Sequence, residues 1–121
     1  MNPDIPSIRH VLSLDLSSLL ISLGKEVDSF AEGAYPRSTS RLIELGKLWI
    51  QDHSGAIKDI ICESSVVKKL VDDADQFQLV IAIADLVSAL CIGVSPITVS
   101  AIIVKIGLKK VCRSVFPNSE L

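Results

Sequence analysis

Apolar residues recur along the first half of the chain at spacings of three and four. Leu16, Leu19, Leu20, Leu23, Val27 and Phe30 form one stripe over 15–32, while Asp15, Lys25, Glu26 and Asp28 lie off it. That period is the signature of an amphipathic α-helix with one buried face. Ser13 stands where an N-cap would, and the preceding SIRHVLSL reads as a short helix or an extended arm. GAYPRSTS, at 33–40, is expected to be a loop, since Gly and Pro interrupt the pattern and polar residues follow. A second helix follows Ser40 to about position 53, with Leu42, Leu45, Leu48 and Trp49 on its buried side. Ser54-Gly55 marks a break or kink. AIKDIICE then buries Ile57, Ile60 and Ile61, and SSVVKKLVDDAD reads as a short helix capped by Ser64 or Ser65.

The pattern changes in the last third. Over 76–92 the polar residues are Gln76, Gln78, Asp85 and Ser88; over 96–113 they are Thr98, Ser100, Lys105, Lys109, Lys110 and Arg113. Ile and Val are frequent, so strands must be weighed, but LVIAIADLV and SAIIVKI place bulky residues on both parities and do not alternate. The ends favour helices. Asp72, Asp73 and Asp75 precede the first segment, Ser95-Pro96 open the second, and Lys109, Lys110 and Arg113 close it, each charge on the side the helix dipole prefers. The pattern therefore predicts an all-α fold: a compact bundle of five to six helices ending in a hydrophobic helical hairpin. A chain of 121 residues makes one domain, with 1–14 as an arm and 114–121 as a tail.

Within that hairpin, DLVSALCIGVSPITVSAIIVKIGL carries Asp85 and Lys105 at matching heights about the turn at 93–96. They form a candidate ion pair across it. The same stretch raises the question of a membrane. Each apolar segment spans about 17 residues, or roughly 25 Å of helix against a hydrocarbon core of roughly 30 Å. A mid-span Asp adds a penalty of roughly 2.5–3.5 kcal/mol. The hairpin therefore reads as core. Covering it with a few short amphipathic helices is hard in so small a domain, which leaves either a well-filled monomer or a face that docks on another molecule.

Composition narrows the functional classes. A net charge of −2 and a pI of about 5.6 leave no basic footprint for nucleic acid. Hydrophobic residues reach 49% and aromatic ones only 4%, so the apolar mass is aliphatic and offers few platforms for stacking bases. Charged residues at 21% argue against disorder and against a pure membrane peptide. The three cysteines, Cys62, Cys91 and Cys112, are an odd number set among aliphatic residues without a CxxC, and MNPDIPSIRH has no leader pattern. The expectation is a cytoplasmic protein with reduced, buried thiols.

Catalytic and ligand-binding constellations are sparse. A Cys–His nucleophile would need Cys62 beside His53, with Asp52 or Asp59 orienting it. Cys62 instead sits on an apolar helical stripe, which points to an inert thiol. The same residues lack the regular spacing of a zinc site. DDAD, at 72–75, lacks EF-hand spacing and suits a helix N-terminus. The glycines are isolated, so no phosphate loop occurs and close helix packing is their expected use. No enzyme, metal or cofactor is expected. The candidate interaction surface is Tyr35, Arg37 and Arg41 in YPRSTSR, next to a helix start, together with Trp49. An ordinary loop capped by Ser38 or Ser40, and a core role for Trp49, are the plainer readings of the same residues.

IADLVSALCIG followed by VSAIIVKIGLKKVC, about a third of the chain, resembles small all-α accessory or adaptor proteins of bacterial conflict (defence) operons. The resemblance implies a non-catalytic partner of a larger effector. The functional expectation is a helical protein-interaction module that docks through an aliphatic face, possible sites including the 76–113 hairpin, on a second copy or a protein partner. The alternative is a membrane-inserting helical hairpin.

Overall fold

The stripe of leucines over 15–32 becomes a helix that begins one residue after Asp15. In the computed structural model, residues 5–30, 38–73 and 76–113 are described. They form α1 (Ile5–Ser13), α2 (Leu16–Phe30), α3 (Thr39–Cys62), α4 (Ser65–Asp73), α5 (Gln76–Val87), α6 (Pro96–Ile106) and α7 (Leu108–Arg113), with a 3-10 turn at Ser88–Leu90. No strand occurs among the described residues, and the fold is an all-α bundle. The first segment is the short helix of the two alternatives: Ile8 is fully buried and Arg9 lies over the Phe77 ring at 5.9 Å.

Several helix boundaries differ from those expected, each for a local reason. Asp15, not Ser13, caps α2: its Oδ1 accepts from the Ser18 N–H at 2.8 Å, whereas Ser13 Oγ donates to the His10 carbonyl. α3 starts earlier, with Ser38 Oγ accepting from the Arg41 N–H. No break occurs at Ser54-Gly55; α3 runs through it for 24 residues. A glycine costs a helix about 0.5–1 kcal/mol. Ile50, Ile57 and Ile61, all fully buried on the same helix, each return about 1.5–3 kcal/mol, so burial wins. The break falls instead at Gly107, where a φ of 107° ends α6 and starts α7. That backbone is in the region open to glycine and strained for other residues.

Packing of α2 on α3 depends on two glycines. A Cβ on Gly24 would lie 2.0 Å from the Leu42 carbonyl oxygen, and one on Gly46 would lie 2.5 Å from that of Leu20. The two helices are therefore antiparallel and approach backbone to backbone. α6 occupies the middle of the bundle, in contact with α1, α2, α5 and α7. Every residue from 98 to 103 is buried, which only a helix surrounded on all sides allows. Its two buried hydroxyl residues are Thr98 and Ser100; Ser100 Oγ donates to the Pro96 carbonyl at 2.7 Å. Among the described residues no buried side-chain polar atom lacks a partner.

The thiols correct the expectation of three reduced core cysteines. Cys62, the last residue of α3, and Cys112, in α7, form a disulfide with Cα atoms 5.6 Å apart. Cys112 is exposed and Cys62 half-buried. Cys91 is the free cysteine. An odd count permitted one pair plus one thiol, but sequence does not reveal which residues share a corner of the bundle.

Candidate functional site

The turn between α5 and α6 is built from local hydrogen bonds and one remote carboxylate. Ser88 Oγ donates to the Asp85 carbonyl at 2.9 Å, and the Cys91 N–H closes the 3-10 turn on Ser88. Gly93 then takes a φ of 80°, again a conformation suited to glycine. Ser95 Oγ accepts from the Thr98 N–H at 3.3 Å, and Pro96 occupies the first helical position. The Ser95 N–H donates to Glu26 Oε2 on α2 at 2.6 Å. In a capping box, a glutamate three residues into the helix accepts from the cap residue's own N–H. Here α2 supplies that carboxylate from a distant part of the chain, tying the turn to the bundle.

A held turn decides which side chains face out. Val94 points inward at 8% exposure and Ile92 outward at 72%. Between Asp85 and Lys105 no charged residue occurs, so the apex is uncharged in its own sequence. Cys91 is half-buried there. Burial, and then the nearby Glu26 carboxylate, push its thiol up to about 11. A neutral thiol of that kind is a poor nucleophile. Chemically, the apex offers an aliphatic side chain on a rigid mount.

The residues singled out from sequence are scattered. Tyr35 and Arg37 lie outside the described residues. Arg41 is exposed and pairs with Glu44, one turn along, at 3.0 Å; the pair is at the surface and its net stabilisation is small. Trp49 is half-buried and stacks on His53 with ring centroids 4.0 Å apart. His53 Nδ1 donates to the Trp49 carbonyl at 2.8 Å. That imidazole is directed at its own helix, and Cys62 is consumed in the disulfide, so the structure does not assemble a Cys–His pair. Leu48, expected on the buried side, is 42% exposed, and Val66 on α4 is 58% exposed.

Asp85 and Lys105 do not meet. Both are exposed, and among the described residues no ion pair joins them; the positive charge of Lys105 is felt instead by Asp15. Asp15 is held below the usual carboxylate range first by the Ser18 N–H and Ser18 hydroxyl, with Lys105 a lesser contribution. The matching heights were legible in sequence, but height leaves the rotation of each helix open. Glu26 and Ile92, the residues that define the apex, carried no such signal. Glu26 looks like any solvated charge off the stripe, and Ile92 like one more aliphatic residue of the hairpin.

Among the described residues no group of histidines, cysteines or carboxylates could hold a metal ion, and no helix is long and apolar enough to cross a membrane. No protein-family model, curated protein or solved structure matches the chain.

Proposed function

We propose that the protein is a non-catalytic helical interaction module whose docking point is the α5–α6 apex. The observation that carries this reading is Ile92: a large aliphatic side chain, 72% exposed, on a turn fastened to the bundle by the Glu26–Ser95 bond. A mobile apolar tip would lose conformational entropy on binding; a mounted one has already lost it during folding. The helical faces of the hairpin are less suited to the task than the sequence led us to expect, since α6 is enclosed. The partner is a protein, either a second copy or a larger effector of the kind the conflict-operon resemblance implies. Nucleic acid is not the proposed ligand.

The membrane-inserting alternative has less support. α5 has 12 residues and α6 has 11, so neither exceeds about 18 Å of helix, well short of a hydrocarbon core of about 30 Å.

Ile92→Asp tests the proposal. The change is at an exposed site, so the circular dichroism spectrum and urea midpoint should stay within experimental error of wild type. Partners captured from the native host on immobilised wild-type protein, or self-association in sedimentation, should weaken by about 30-fold or more, as for a hot-spot residue. Equal capture and equal self-association by the variant would reject the apex as the docking point.

A further inference from the structure

α7 is six residues long, too short to persist as a helix by its own hydrogen bonds. It is fastened at both ends. At one end Gly107, with its φ of 107°, turns the corner from α6, and nothing crowds the space where a Cβ would be. At the other, Cys112 is bonded to Cys62 on the final turn of α3. Between them Leu108 and Val111 are buried, in the same core as Ile57 and Ile61 of α3. The bridge is approached from solvent on the Cys112 side, because Cys112 is exposed and Cys62 half-buried.

We propose that the Cys62–Cys112 disulfide is a redox latch that holds α7 over the C-terminal end of α3 and releases it on reduction. A dithiol reductant opens it. One thiolate of the reductant attacks Cys112 Sγ, forms a mixed disulfide there and expels the Cys62 thiolate, which takes up a proton. The second thiol of the reductant then displaces the Cys112 sulfur, which is protonated in turn. The reductant leaves as a cyclic disulfide; the protein gains two electrons and two protons and carries two thiols. After that, α7 is retained only by the burial of Leu108 and Val111, against the entropy of ordering a whole turn-and-a-half of chain. It pivots at Gly107 and uncovers the apolar end of α3 at Ile57 and Ile61. α6 stays in place, because α1, α2 and α5 remain packed on it and the Glu26–Ser95 bond does not involve the bridge.

The latch differs from a fixed brace in what reduction does to the rest of the fold. Amide hydrogen exchange on the full chain, with and without millimolar dithiothreitol, separates them. The bridge should be reduced without denaturant, and exchange in 108–113 should rise by about tenfold or more while α2 and α6 keep their protection. Cys62→Ser/Cys112→Ser should show the reduced pattern with or without reductant. A bridge that resists dithiothreitol until the chain is unfolded would overturn the proposal. So would reduction that leaves 108–113 protected, or that exposes all helices together; wild type under reductant gives this answer even if the double variant does not fold.

Discussion

At the scale of single residues, two of the three glycines in α2 and α3 have a packing role that their neighbours in sequence do not reveal. Gly24 and Gly46 let the α2 and α3 backbones touch, since a Cβ at either would lie within 2.5 Å of a carbonyl oxygen. Neither obstacle is a flexible side chain, so relief requires the helices to separate. Gly24→Ala and Gly46→Ala should each lower the unfolding free energy by about 1–3 kcal/mol, the cost of overpacking. Gly55 lies in the same helix as Gly46, but a Cβ there would meet nothing within 4 Å. Gly55→Ala should therefore raise stability by about 0.5–1 kcal/mol through helix propensity and a less flexible unfolded chain. Urea denaturation of the three variants checks both signs. Close packing was a fair expectation for an isolated glycine in an aliphatic helix; which glycines it applies to depends on the helix opposite.

At the scale of elements, the helices were legible and their ends were less so. Apolar period and cap residues located α2, α4, α5 and the start of α6, and gave α3 as two segments parted at Ser54-Gly55, because those signals are local. The hold on the start of α6 was not local: Glu26 reaches it from α2. Glu26→Ala should leave the Ser95 N–H without its acceptor and cost about 1–3 kcal/mol in denaturation. The same carboxylate bears on Cys91, whose thiol is raised from 9.0 to about 11 chiefly by burial and secondarily by Glu26. Below its pKa a thiol's reactive fraction falls tenfold per unit, so native Cys91 should react with a maleimide at neutral pH about 100-fold more slowly than in the unfolded chain. Glu26→Gln removes the negative charge and should speed native labelling. Unchanged labelling would mean that burial alone sets the thiol.

At the scale of the whole molecule, the arrangement turns on α6 being enclosed. Once a helix is surrounded, its few polar positions must bond within it, as Ser100 does, or emerge at an edge, as Lys105 does. α5 lies to one side and leaves Asp85 in solvent. Asp85→Ala should therefore cost at most about 1 kcal/mol, the upper range for surface charges. In a double-mutant cycle with Lys105→Ala the coupling should be close to zero. A coupling above about 1 kcal/mol would require the two side chains to meet, contrary to the packing of α5 and α6.

The order of residues alone was enough for the all-α class, most helix positions and the presence of a strongly apolar hairpin, because periodicity, caps and turn residues act within a few positions of one another. Packing in three dimensions settled that α3 runs through Gly55, that Cys62 finds Cys112, that Asp85 and Lys105 stay apart, and that Ile92 is left facing out. Each of those depends on how one helix is rotated and seated against another. A repeat of three and four specifies that a face is buried, but many aliphatic faces are interchangeable until close approach at Gly24 and Gly46 selects which ones meet.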